Sequence, residues 1–218
     1  VDSYKQRFID LLVRHEVLRF GDFTLKSGRR SPYFINAGQL RTGAAIAGLG
    51  EAYAECLQRE GLACDLLFGP SYKGVPLAVA TAIARARAGS DVAFCFDRKE
   101  AKDHGEGGVF VGTAPWDGAR VVIVDDVITS GKSIHEAAEL LRKAAAVTVA
   151  GVVVAVDRME RGRGAVSTLA ELQTELGAPV RAIVTIREIA AYLHPRVIDD
   201  ARLRAIEGYL AEHGATGP

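Results

Sequence analysis

Apolar positions along the chain change period several times, and each change marks an element. Tyr4, Phe8, Leu11 and Leu12 recur at helical spacing and predict an amphipathic first helix. The stretch FTLKSGRRSPYFINAG, beginning at Phe23, predicts two short strands around a Ser-Gly turn. Between Arg41 and Glu60 the helical period returns through Ile46, Leu49, Tyr53, Cys56 and Leu57, with Gly61 as a natural stop. Beyond it come the compact apolar runs CDLLF, VAFCF, VVIV, VAGVVVAV and VRAIV, short and unbroken as buried parallel strands require.

Helical patterns separate several of these runs. One spans Val75 to Ala88 with Pro76 in its first turn, and another spans Ser133 to Ala144 with Ile134, Ala138 and Leu141 on one face. The expected architecture is α/β: a doubly wound core with a mostly parallel sheet and right-handed crossovers, plus a small N-terminal cap lobe. We expect the first helix and cap lobe over residues 1–40, the core over 41–213 and a disordered tail over 214–218. No internal repeat or long linker interrupts the pattern.

With 218 residues, 49% hydrophobic and 25% charged, the chain has ample apolar material for a core without covalent staples. Lys+Arg and Asp+Glu balance at 27 each, so no global field draws it to nucleic acid or an anionic membrane, and any anion must be held by local clusters. Cys56, Cys64 and Cys95 form no C-x-x-C and sit in apolar surroundings, which suits a reducing, cytoplasmic setting. No run approaches the roughly 20 apolar residues of a membrane span, and VDSYKQRFID lacks the apolar stretch of a signal peptide. The chain opens on Val1 without an initiator Met, consistent with a few residues removed ahead of it.

In doubly wound sheets ligands bind beyond the carboxyl ends of the strands. The segments found there are GPSYKG, DRKEAKDHGEGG, DDVITSGKS and DRMERGRG, all polar, charged or glycine-rich, and they are expected to converge on one sheet edge. The third ends in the Gly-Lys-Ser of a P-loop, yet Asp126 occupies the position of that motif's first glycine and Asp125 precedes it. Thr129, Ser130 and Gly131 lie between a strand and a helix N-terminus, where free N–H groups and the helix dipole favour a phosphate. Two carboxylates cannot face that phosphate without repulsion, but they suit the adjacent hydroxyls of a ribose and would stabilise positive charge developing on its ring. The combination points to a ribose phosphate.

VVIVDDVITSGKS also resembles the phosphoribosyl pyrophosphate (PRPP) signature of the type I phosphoribosyltransferases. The other three segments and FTLKSGRRSPYFINAG are similar in content and order to the orotate phosphoribosyltransferases within that family. The resemblance implies a magnesium-dependent transfer of ribose 5-phosphate from PRPP to orotate, with Mg2+ held mainly by substrate rather than by protein ligands. It implies that Asp125 and Asp126 meet the ribose hydroxyls and that the run through Val127, Ile128, Thr129, Ser130, Gly131, Lys132 and Ser133 holds the 5-phosphate. Tyr72 and Lys73 would meet the pyrophosphate. Arg98, Lys99, Lys102 and His104 would belong to a mobile lid over 97–108 that reaches the neighbouring subunit's site, which makes the protein a homodimer with shared active sites. Lys26, Phe34, Ile35, Thr129 and Arg158 would line the orotate pocket, Lys26 also touching PRPP. The catalytic set implied is Lys73, Lys102, His104, Asp125 and Asp126.

Each segment has a plainer alternative. An Asp-Asp pair after a strand can be a turn or a metal pair, and DRKEAKDHGEGG a solvated loop with His104 a surface histidine. Lys26 can be a turn lysine, Phe34 lobe packing, Lys132 a solvent-facing charge, and Arg158 the partner of Glu160. A second aromatic is common in the family where this chain has Ile35, which leaves ring stacking to Phe34. No Ser-His-Asp or Cys-His set suggests a covalent intermediate and no His/Cys cluster suggests zinc, so catalysis is expected from positioning and electrostatics. A purine phosphoribosyltransferase would share the PRPP loop without needing Arg158, a PRPP-sensing regulator would need a basic face, and a P-loop kinase would need glycine at 126.

Overall fold

The five compact apolar runs form the centre of one six-stranded sheet. Its strands are β3 (Leu66–Gly69), β4 (Ala93–Lys102), β5 (Gly108–Gly112), β6 (Arg120–Asp125), β7 (Thr148–Asp157) and β8 (Val180–Thr185), in the order β5-β4-β3-β6-β7-β8. Every pairing is parallel except β4 with β5 at one edge. This computed structural model describes residues 1–25, 28–102, 108–128 and 130–215, with the backbone alone described for 99–102. Among them no helix is long and apolar enough to cross a membrane.

The helices are α1 (Ser3–Arg14), α2 (Gly43–Arg59), α3 (Gly74–Arg87), α4 (Lys132–Ala144), α5 (Thr168–Leu176), α6 (Ile186–Leu193) and α7 (Asp200–His213). Side chains alternate across β6, so Val122 and Val124 join one apolar layer while Val121 and Ile123 join another. The first layer is completed by Phe8 of α1, Tyr53 of α2, Ala78 of α3, Ile189 of α6 and Leu210 of α7. The second is completed by Ile134 and Leu141 of α4 with Leu172 and Leu176 of α5. Burial of both faces explains why these strands are continuous in apolar character rather than alternating.

The N-terminal 40 residues hold the expected helix and a small sheet of their own, the antiparallel hairpin of β1 (Leu18–Thr24) and β2 (Arg30–Ile35), while Tyr4, Phe8, Ile9 and Leu12 of α1 join the same layer as the main sheet. The hairpin begins at Leu18, five residues before Phe23, where Leu18 is a buried core position paired with Ile35. Of the segment 97–108 the described part is extended: β4 runs on to Lys102, and Lys102 pairs with Gly108. The tail is held at its start: Gly214 forms an antiparallel bridge with Glu160, and Ala215 N–H donates to Met159 O at 2.9 Å.

Candidate active site

The chain leaves β3 toward β4 on one side, whereas β6 passes to β7 on the other. The loops after β3 and β6 therefore diverge at the topological switch point, where such sheets open a crevice. The loop after β3 is tight because Gly69 and Gly74 approach each other: a Cβ on Gly69 would overlap the Gly74 carbonyl. This brings Pro70 to Lys73 around to face β6. Lys73 Nζ stands 2.7 Å from Asp126 Oδ2 and joins the two loops. Ser71 N–H donates to Asp97 Oδ1 at 2.7 Å, and the Ser71 hydroxyl donates to Asp97 O, which ties the same loop to β4.

Asp125 and Asp126 are each only 6% exposed, so their charges must be answered by the protein or a ligand. Asp125 Oδ1 accepts from Asp126 N–H at 2.9 Å and Oδ2 from the Ser133 hydroxyl at 3.0 Å. Burial pushes the Asp125 carboxyl above its ordinary value; those two donors and Lys73 oppose the shift, while the neighbouring Asp126 charge reinforces it. Tyr53 underpins the turn by donating its hydroxyl to Asp125 O at 2.6 Å, and burial holds that phenol protonated far beyond its usual range.

Helix α4 opens directly after this pair. Gly131 caps it at φ 74°, a left-handed conformation that glycine adopts without penalty. A Cβ there would stand 2.8 Å from Leu172 Cδ2, so α5 props the loop from behind. The first turn of α4 follows the end of β6, with Ile134 N–H turned back on Gly131 O at 3.1 Å and Lys132 N–H at 3.5 Å from the Ser130 hydroxyl, and a helix N-terminus in this place suits a phosphate. Lys132 turns away: its side chain is 78% exposed and its Nζ lies 3.6 Å from Glu136. Of its two sequence alternatives, the structure takes the solvent-facing one.

The other wall comes from distant segments. Phe34 stacks on Phe23 with ring centroids 5.6 Å apart and 29° between planes, and the Arg19 guanidinium lies over both rings. Ile35 points to the opposite side of β2, packed against the main core. Arg158 follows β7 and is largely buried; its Nε and Nη2 reach Glu160 Oε1 at 2.8 and 2.7 Å, and its guanidinium lies 4.5 Å from the Tyr33 ring centroid.

Among the described residues no group of three or more His, Cys, Asp or Glu could hold a metal ion. The thiols are poor nucleophiles, since burial pushes Cys56 and Cys95 up to about 12 and Cys64 up to about 11.

A family model for the phosphoribosyl transferase domain matches residues 36–188. The orotate phosphoribosyltransferase of Salmonella paratyphi A is 48% identical over 212 residues, 97% of this chain and 98% of the relative. This chain belongs to the orotate phosphoribosyltransferase family. The crystal structure of the Francisella tularensis orotate phosphoribosyltransferase superposes with a TM-score of 0.84 at 35% identity, covering 95% of this chain and 98% of that one. Leishmania donovani UMP synthase gives 0.74 at 28% identity over 95% of this chain, which spans 42% of that longer protein.

Of the expected site residues, the structure brings Lys73 to Asp126 and Ser133 to Asp125, with Ser130 and Gly131 in the turn before α4. Val127 and Ile128 link the acids to the loop, Ile128 buried against the second apolar layer. Tyr72 is 70% exposed beside Lys73. Arg98 lies on β4 next to Asp97, its Nε buried without a hydrogen bond. Lys26, His104 and Thr129 lie outside the described residues, as do the side chains of Lys99 and Lys102. For Arg158 the structure has the Glu160 pairing offered as the plainer alternative. Sequence reasoning missed the supports: Tyr53, the Ser71–Asp97 tie, and Arg29 and Tyr209 as further partners of Glu160. Ser71 and Asp97 stood inside the quoted segments, whereas Tyr53 carried only the signature of a core helix position.

Proposed function

We propose that this site transfers the ribose 5-phosphate of PRPP to orotate N1, forming orotidine 5'-monophosphate and pyrophosphate in de novo pyrimidine synthesis. The observation that carries the reading is the buried Asp125–Asp126 pair, set between the N-terminus of α4 and Lys73 at the switch point of the sheet. The 5-phosphate sits on the N–H groups of the Ser130–Ser133 turn, and the acids accept the ribose hydroxyls. Lys73, on a long and 70% exposed side chain, turns from Asp126 to the pyrophosphate when PRPP enters.

Orotate packs on the Phe34 side of the crevice and is met by Arg158. Its N1 forms a bond to ribose C1 as the bond from C1 to pyrophosphate oxygen breaks, the electron pair leaving with the pyrophosphate. Positive charge on the sugar ring in the transition state is answered by Asp125 and Asp126. Magnesium would be held mainly by the substrate phosphates and waters, in keeping with the ion's usual ligands, and would neutralise charge on the departing pyrophosphate.

The family's shared-site homodimer finds support in two features. The β4–β5 hairpin carries Arg98 and Lys102 at the sheet edge, and α3 exposes Pro76 and Ile83 on a face beside Tyr72. Three free thiols suit a reducing compartment such as the cytoplasm.

The deciding experiment follows orotate depletion and pyrophosphate release with PRPP and magnesium, with adenine and hypoxanthine assayed in parallel. Orotate should be consumed and the purines ignored. Purine turnover without orotate turnover would sink the assignment.

A further inference from the structure

One carboxylate holds three separate parts of the base-side wall. Glu160 Oε1 accepts from Arg158 and also from the Tyr209 hydroxyl of α7 at 2.6 Å, while Oε2 accepts from Arg29 Nη1, in the turn of the β1–β2 hairpin, at 3.1 Å. Tyr209 packs edge-on against Tyr33, centroids 5.7 Å apart, and Tyr33 carries the Arg158 guanidinium on its face. The backbone completes the clamp: Glu160 bridges Gly214, and Arg161 N–H donates to His213 O at 3.0 Å.

Arg158 is thereby fixed along its Nε–Nη2 edge and over one ring face. Nη2 also donates to the Ser31 hydroxyl at 3.5 Å and the Tyr209 hydroxyl stands against the same guanidinium, which leaves Nη1, at the outer end, for a ligand. An arginine free at a strand end would lose rotamer freedom on engaging a substrate, and most of that loss is already incurred here.

We propose that Glu160, steadied by Tyr209, is a positioning residue for orotate: it occupies one edge of Arg158 and presents the Nη1–Nη2 end to the base, so that the C-terminal helix sets the base pocket. This rests on the reading above that Arg158 meets orotate.

The test measures steady-state kinetics with orotate and PRPP varied separately for Arg158→Ala, Glu160→Gln, Tyr209→Phe and the double change Arg158→Ala with Glu160→Gln. Glu160→Gln should raise the orotate KM about tenfold and Tyr209→Phe about threefold, with the PRPP KM within about twofold of the parent. The double variant should be no worse than Arg158→Ala alone, because Glu160 acts only through that arginine.

If Arg158→Ala leaves the orotate KM unchanged, the base-pocket reading fails and takes this proposal with it. If Arg158→Ala raises it while Glu160→Gln and Tyr209→Phe do not, the positioning role alone is overturned. A parallel rise in both KM values would also overturn it, as the mark of general loosening. Should Glu160→Gln not fold, Tyr209→Phe, which removes a single oxygen, decides the matter.

Discussion

The proposed phosphate-and-ribose half of the site occupies one unbroken run, Asp125 to Ser133, whereas the proposed base half draws Arg29 and Phe34, Arg158, and Tyr209 from three separated segments. In the first, one strand end and one helix start fix nearly everything: Asp125 is bonded to its own neighbour and to Ser133, eight residues on. In the second, Arg158 meets Glu160 two residues on, but the contacts that tie this pair to the rest are remote, the Arg29–Glu160 bond closing 131 residues and the Tyr209–Glu160 bond 49. A local site inherits its geometry from a strand-loop-helix unit. An assembled one depends on how whole elements dock, which makes it the adjustable half.

The largest effects test whether the local half is complete within one chain. Lys102→Ala and the double change Asp125→Ala with Asp126→Ala should each nearly abolish turnover in homodimers. In a heterodimer of the two, one site combines both defects and the other combines an intact hairpin with an intact loop. Heterodimers isolated through differential tags after subunit exchange should show about half of the wild-type turnover, one site of two in a symmetric dimer. Confirmed heterodimers no more active than their parents would show that hairpin and loop act within the same chain.

That contrast also explains what was legible in the sequence. The strands and helices of the core followed from apolar period, and the PRPP loop followed from adjacency, because Asp125 to Ser133 carry their own geometry. The strand at 97–102 misled because its run of charge resembles a loop, while the backbone pairing of Lys102 with Gly108 needs no apolar pattern at a sheet edge. The tail misled similarly: its hold on Met159 and Glu160 is made through main-chain groups that composition does not show. Arg158 was visible as a charge at a strand end with Glu160 as a candidate partner two residues on, but Arg29 and the Tyr209 hydroxyl on that same carboxylate required the fold.

A middle-sized effect sharpens what "local" means. Gly131 is left-handed because the loop must turn there, and Leu172 of α5 stands where a Cβ would project. Gly131→Ala should cost about 1–2 kcal/mol for the backbone conformation alone, with a further cost from the clash. Leu172→Ala removes the clashing group at its own expense, since Leu172 is buried. In a double-mutant cycle read by denaturant unfolding, the pair should be less destabilising than the sum by about 1 kcal/mol. Additivity would mean that α5 does not prop the loop, and that the phosphate cradle is more self-contained than the structure indicates.

The smallest effect is a shift along the pH axis. Burial raises the Asp125 pKa, the Asp126 N–H and Ser133 hydroxyl oppose it, and the anion is the form that accepts ribose hydroxyls. A raised pKa means that, as pH falls, Asp125 takes up its proton earlier than a free aspartate with its value near 3.9. The acid limb of kcat/KM for PRPP, which reports the free enzyme, should therefore lie above the ordinary carboxylate range. Ser133→Ala removes a donor that favours the anion, so the protonated form gains ground and the limb should move further up. The direction in which the limb moves is the informative quantity. A limb that stayed put or moved to lower pH in Ser133→Ala would show that this hydroxyl does not tune the acids, leaving burial and Lys73 to set their charge.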